Sequence, residues 1–259
     1  MITHKKNQCI TYLFSKLAEH QLRKQFRRVS WTRRSVMPEL NPELPTIAIL
    51  NHSGWWDAML CLYLGNIILK QDCYGVFAEE QLRRYGIFRY AGCYSVNRSS
   101  AADFKAFLKY SHALLESQSR LLWIFPQGEL ISNDARPFDF KKGFAVMASK
   151  LKRVQILKMA VSYDFWIDSR PEAVVDVLPV DTLAGSEIDP DIYADECGYQ
   201  IGDAVSYIRN LVIHRRYEEL VPLFETNHGT NPVYDLWRRS ASMIRGEKFV
   251  STHGENISR

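Results

Sequence analysis

The chain has 259 residues, 46% of them hydrophobic, and a formal net charge of +4, which suits one globular domain with short appendages. It has no uninterrupted run of 18 apolar residues and no apolar leader with a small-residue cleavage pattern, so neither a transmembrane helix nor a secretory signal is expected. Its five scattered cysteines lack CxxC spacing, which argues against a zinc site or a disulfide framework and makes a reducing, cytosolic setting the default.

The positive charge is concentrated at the N-terminus. Residues 1–36 hold nine lysines and arginines against Glu19 alone, a net +8, whereas the remainder has 24 bases and 28 acids. Within this arm Ile10, Leu13, Phe14 and Leu17 recur at i, i+3, i+4 and i+7, predicting a basic amphipathic helix. Such a helix either lies on an anionic membrane surface or packs on its own domain with its charges solvated. No nucleic-acid-binding motif accompanies the basic run, so no nucleic-acid partner is expected.

The stretch NPELP (41–45) reads as a linker because its two prolines block helix. It divides an arm of residues 1–40 from a domain of residues 41–225. TIAIL (46–50) then reads as a buried strand, followed by a helix over SGWWDAMLCLYLGNII with Ser53 as its N-cap. CYGVFA (73–78) and CYSVN (93–97) predict two more strands, and residues 100–117 an amphipathic helix. RLLWIF (120–125) predicts a fourth strand, and KGFAVMASKL (142–151) a helix. QILKMAVSY (155–163) and AVVDVLPV (173–180) predict further strands, and residues 202–224 a long helix. Strands alternating with helices indicate an α/β fold with a mostly parallel central sheet flanked by helices. Residues 226–259 read as an irregular tail with no assigned role.

His52 and Asp57 sit just beyond the first of these strands, where active-site groups of α/β folds gather. A carboxylate there can hold an imidazole in one tautomer and stabilise its charged form. A structural histidine bonded to a helix cap has the same pattern. Arg98 follows another strand and suits an anion. Phe-Pro-Gln-Gly-Glu (125–129) follows a third, with a turn able to present backbone N–H groups. Each alone is compatible with a surface arginine and a plain turn.

Taken in order, NHSGWWD, GCYSVNR, FPQGE and FKKG with ILKMAV resemble the blocks of the glycerolipid acyltransferase family, of the lysophosphatidic-acid and glycerol-3-phosphate type. The resemblance covers roughly residues 45–182. It implies His52 as general base, Asp57 as its orienting partner, and Arg98 on the acceptor's polar or phosphate group. Gly128 and its neighbours Gln127 and Glu129 would shape the acceptor pocket. The implied reaction moves an acyl group from a thioester of coenzyme A or acyl carrier protein to a lipid hydroxyl at the cytoplasmic face of a membrane. No cofactor or metal is implied.

The third block departs from the family's usual Phe-Pro-Glu-Gly-Thr-Arg. Gln127 replaces glutamate, and Glu129 and Leu130 replace threonine and arginine. One cation is lost and one anion gained, unless Lys141 or Lys142 compensates. A neutral hydroxyl acceptor, such as a glycolipid sugar or another lipid alcohol, fits this balance better than a phosphorylated one. A 1-acylglycerol-3-phosphate acyltransferase is the alternative. A thioester hydrolase and an inactive lipid-binding protein are the readings from other classes. A serine nucleophile at Ser53 is not supported, because the GxSxG elbow is absent.

Overall fold

The computed structural model describes residues 1–97, 100–117, 120–166 and 169–226, together with the single residue Met243. Its strands are β1 (Arg28–Thr32), β2 (Thr46–Leu50), β3 (Cys73–Ala78), β4 (Cys93–Val96) and β5 (Leu121–Ile124), then β6 (Arg153–Asp164), β7 (Glu172–Val177), β8 (Asp181–Ala184) and β9 (Leu220–Glu225). They form one sheet in the order β4-β3-β5-β2-β6-β7-β1-β9, with β8 on the side of β6. Pairings β3–β4, β3–β5, β2–β5, β2–β6 and β1–β7 are parallel. Those of β6 with β7 and β8, and of β1 with β9, are antiparallel. The mostly parallel α/β sheet expected from the sequence is therefore present.

The helices are α1 (Gln8–Gln25), α2 (Asp57–Leu62), α3 (Glu79–Arg84), α4 (Ala101–Ser117), α5 (Gly143–Ala148) and α6 (Pro190–Ile213). They cover both faces of the sheet, which explains why TIAIL is uniformly apolar rather than alternating. In β2, Ile47 and Ile49 enter the core beneath α4, α5 and α6. Ala48 and Leu50 enter the core beneath α1 and α2. Each such fully buried large apolar side chain contributes roughly 1.5–3 kcal/mol.

The basic N-terminal segment is not a separate arm ending at residue 40. Arg28–Thr32 is a fully buried strand between β7 and β9, and Arg28 meets Glu172 at 2.6 Å. Its charge hides it from a pattern search, because a paired arginine can enter a sheet where an unpaired one cannot. The helix before it also presents another face than its Leu13–Leu17 stripe suggests. Thr11, Ser15, Ala18 and Leu22 are buried against the domain, while Leu13 and Leu17 are 63% and 46% exposed. Small residues at these spacings let α1 approach closely.

Two helix expectations change as well. The helix after β2 begins at Asp57, not Ser53, and continues past Leu62 as a π-helical turn, Tyr63–Ile68. The long C-terminal helix starts at Pro190, with Asp189 accepting N–H bonds as N-cap, and ends at Ile213. The last residues of the predicted helix form β9, which pairs with β1. The partner that makes Leu220–Glu225 a strand is almost two hundred residues away, so no local signal announces it.

Candidate active site

The carboxyl ends of β2, β5 and β6 meet at one edge of the sheet because these strands run parallel. The loop after β2 carries Asn51 and His52. Asn51 is fully buried and extends the ladder with its side chain, accepting from Val161 N–H at 2.8 Å and donating to Val161 C=O at 2.9 Å. These bonds fix the backbone from which His52 projects. Gln127 holds the same loop from the β5 side, its Oε1 accepting the His52 N–H at 2.5 Å. The Ile131 N–H donates to the His52 carbonyl at 2.8 Å.

His52 Nδ1 lies 2.7 Å from Asp57 Oδ2. Asp57 is fully buried, and the same Oδ2 accepts the N–H groups of Ser53 and Gly54 at 2.9 and 3.0 Å. Its Oδ1 accepts the Tyr163 hydroxyl at 2.6 Å. Backbone N–H groups only donate, so Oδ2 is an acceptor and Nδ1 carries the proton that points at it. That tautomer leaves Nε2 with a free lone pair, as a general base requires. Burial, and then the Asp57 charge, raise Tyr163 well above the ordinary phenol value, so its hydroxyl stays protonated and donates. Phe125 stacks on the imidazole with centroids 4.1 Å apart and planes within 12°, fixing the ring's tilt.

The other sequence candidates divide. Gln127 is buried and acts on the His52 backbone. Gly128 has φ +80° in the turn after β5, a conformation that glycine adopts without strain. Glu129 and Leu130 are exposed. Lys142 pairs with Asp191 at 2.8 Å in the first turn of α6, and Lys141 pairs with Asp139, so each lysine already has a carboxylate partner. Arg98 lies outside the described residues. Of the two tryptophans, Trp56 packs edge-on against Phe26 at 5.1 Å, whereas Trp55 is 67% exposed.

A model of the family described as acyltransferase matches residues 29–162. The chain belongs to the acyltransferase family. The fold of this acyltransferase is similar to the crystal structure of the 1-acyl-sn-glycerophosphate (LPA) acyltransferase PlsC from Thermotoga maritima, with a TM-score of 0.55 and 13% identity, over 77% of this chain and 79% of that one. A search of curated proteins finds no match.

Sequence reasoning missed Tyr163, Phe125 and Asn51 as parts of the candidate site. Tyr163 had a usable signal. In β6 the positions 157, 159, 161 and 163 share one face, and the first three are the apolar residues of the core beside α2. Extending that alternation by one step places Tyr163 beside the helix that carries Asp57.

A narrow apolar cleft of about 50 Å³ opens beside Phe125. Cys61, Cys73, Cys93, Gly75, Phe77 and Phe88 are among its walls. Burial pushes Cys73 and Cys93 up to about 12 and Cys61 well above its ordinary value, so the thiols stay neutral and act as small apolar groups. Phe88 belongs to the short turn Gly86–Ala91, which lies against α1 through the Phe14–Phe88 contact at 5.5 Å. Tyr12, Leu13 and Leu17 of α1 and Tyr85, Ile87 and Tyr90 in and beside that turn are exposed.

Proposed function

We propose that the protein is a membrane-associated O-acyltransferase. It moves a fatty acyl group from an acyl thioester, of coenzyme A or acyl carrier protein, to the hydroxyl of a lipid acceptor. The observation that carries this reading is the His52–Asp57 contact of 2.7 Å, with Phe125 joining the imidazole to an apolar cleft. His52 Nε2 takes the acceptor hydroxyl's proton as that oxygen attacks the thioester carbonyl. The tetrahedral intermediate collapses by breaking the carbon–sulfur bond. The departing thiolate then takes the proton from the imidazolium, whose charge Asp57 stabilises meanwhile. No acyl-enzyme forms, so donor and acceptor are held together and positioning supplies part of the rate. The cleft receives the acyl tail, which must part Phe77 and Phe88 to enter.

The acceptor on this reading is an uncharged hydroxyl lipid, because Glu129 and Leu130 stand where the family usually carries threonine and arginine and both nearby lysines are paired. The protein docks peripherally on the cytoplasmic face of a membrane. Among the described residues no helix is long and apolar enough to cross one. Support for docking comes from the exposed apolar residues of α1 and the Gly86–Ala91 turn, with the exposed bases Lys24 and Arg84 on the same segments, while Lys16 and Arg23 pair with Glu19 and Arg83 with Glu79. Each base near an anionic surface contributes about 1 kcal/mol, and the apolar residues add a part that salt does not weaken.

The test is incubation of the purified protein with labelled acyl thioester and a panel of lipid acceptors, with products identified by mass. Transfer to an uncharged hydroxyl lipid is expected. Thioester hydrolysis without transfer identifies a hydrolase, and no turnover identifies a lipid-binding protein. Preferred transfer to lysophosphatidate places the protein with the family's phosphorylated acceptors.

A further inference from the structure

A second cavity, of about 300 Å³, opens on the α6 side of the sheet. Its walls include Asn133, Asp134, Arg136, Ser162, Ser206 and Arg209. Asn210 of α6 also lines it. This is large enough for a small ligand, and unlike the apolar cleft beside Phe125 its walls mix these polar groups with Val205 and Ile213.

The cavity is joined to the catalytic loop by two short connections. Asn133 accepts a hydrogen bond at 2.7 Å from Asn51, the residue before His52. Ser162 immediately precedes Tyr163, whose hydroxyl holds Asp57. Alternation along β6 turns Tyr163 towards Asp57 and Ser162 towards α6. The cavity thus lies at the same sheet edge as the dyad, on the opposite face from α2.

The two guanidinium groups at the cavity are already engaged. Arg209 stands 3.3 Å from Asp134 and 3.6 Å from Asp164. Arg136 donates to the carbonyls of Asn133 and Ala135 and lies over the Phe138 ring, 4.3 Å from its centroid. A phosphate entering here would approach Asp134 and Asp164 with no uncommitted guanidinium to meet it. Sugar hydroxyls both donate and accept. They match a wall that alternates carboxylate and amide oxygens with amide and guanidinium N–H groups.

We propose that this cavity seats the uncharged, hydroxyl-rich head group of the acceptor lipid. The proposal rests on the acyltransferase reading for the identity of the ligand as acceptor. It assigns head-group recognition to the 133–136 loop and the C-terminal half of α6, outside the sequence blocks that carry the family resemblance.

The experiment has a binding arm and a turnover arm. Binding of n-octyl β-D-glucoside, below its micelle concentration, and of octyl phosphate is measured by calorimetry on the full chain and on the Asn210→Leu and Ser206→Leu variants. Both positions are on α6, and melting temperatures confirm that the variants fold. Saturable glucoside binding, tighter than phosphate binding and weakened at least tenfold in both variants, is expected. Equal binding by wild type and variants, no glucoside binding, or a preference for octyl phosphate overturns the proposal. In the turnover arm, the ratio of kcat/KM for a glycosylated monoacylglycerol to that for plain monoacylglycerol should fall about tenfold in the variants, and an unchanged ratio overturns the proposal. Variant-sensitive glucoside binding without any acyl transfer leaves the sugar site standing and removes the acyltransferase reading. Transfer with no variant-sensitive glucoside binding does the reverse.

Discussion

The two cavities at the carboxyl edge of the sheet are opposites. The cleft beside Phe125 is walled by thiols, aromatic rings and Gly75, while the cavity beside α6 is walled by amides, hydroxyls, guanidinium groups and a carboxylate together with Val205 and Ile213. The catalytic loop lies between them. Phe125 touches the first and stacks on His52, and Asn133 lines the second and binds Asn51. An acyl tail and a polar head differ most in how much they lose on leaving water, and one sheet edge offers separate surroundings for each.

The largest effect should come from the dyad, which serves both substrates. Asp57→Asn removes the charge facing the imidazolium and favours the wrong tautomer. We expect a loss of roughly 10³–10⁴-fold in kcat. The loss should be the same whichever acyl tail or acceptor head is offered. A loss confined to one acceptor would mean that Asp57 recognises substrate instead of orienting His52.

A smaller and more diagnostic effect is expected at Tyr163. Tyr163→Phe keeps the ring but deletes the hydroxyl 2.6 Å from Asp57. A hydrogen bond to a charged group is worth about 1.5–3 kcal/mol, and part of that should be recovered by water. We expect kcat to fall about tenfold, with KM for donor and acceptor unchanged and the pH–rate profile displaced. A change in KM alone, with an unmoved profile, would assign Tyr163 to packing.

The apolar cleft should respond to a change that leaves the polar cavity alone. Gly75 lines it, and a Cβ there would sit 3.5 Å from the Cys93 sulfur, an ordinary contact. Gly75→Ala should therefore fold and shift preference towards shorter acyl thioesters by a few-fold, with the order of acceptors preserved. Competition between donors of different chain length measures this. A changed acceptor order with unchanged chain preference would break the division between the two cavities.

Much of the parallel half of the molecule was legible in the sequence. Its strands are continuous apolar runs ending at turns, and His52, Asp57 and the Phe-Pro-Gln-Gly turn mark their carboxyl ends. Strands β6 and β7 were legible too, although they pair antiparallel, whereas β1 and β9 were not. β1 carries Arg28 and Ser30 and is held between β7 and β9, and β9 carries Pro222 and pairs with β1, so both depend on partners far away in the chain. The polar cavity was hidden for the same reason. Asn133, Ser162 and Arg209 come from three distant segments, none of which has a motif, and only the packing of α6 on β6 joins them. Lys142 was read as a substrate residue from its position near the turn, and its pairing with Asp191 went unseen because the start of that helix was missed.

The smallest effect concerns pH and the N-terminus. Burial, reinforced by the charges of Arg120 and Lys6, holds His4 below its ordinary value of 6.5. The folded chain therefore binds fewer protons at this site than the unfolded chain. The contribution of His4 is complete above pH 6.5 and declines as pH falls through the window beneath it. Thermal melts of wild type and His4→Gln should converge as pH is lowered from 7 to 5. A gap that widens over this range would contradict the assignment.

The most direct test of the central claim is single-turnover transfer from a labelled acyl thioester to a hydroxyl lipid, by wild type and by His52→Ala. With folding of the variant confirmed by its melting curve, the transfer rate should fall at least 100-fold, within the range for loss of a general base. A folded His52→Ala protein that transfers acyl groups at a rate close to wild type would contradict the account.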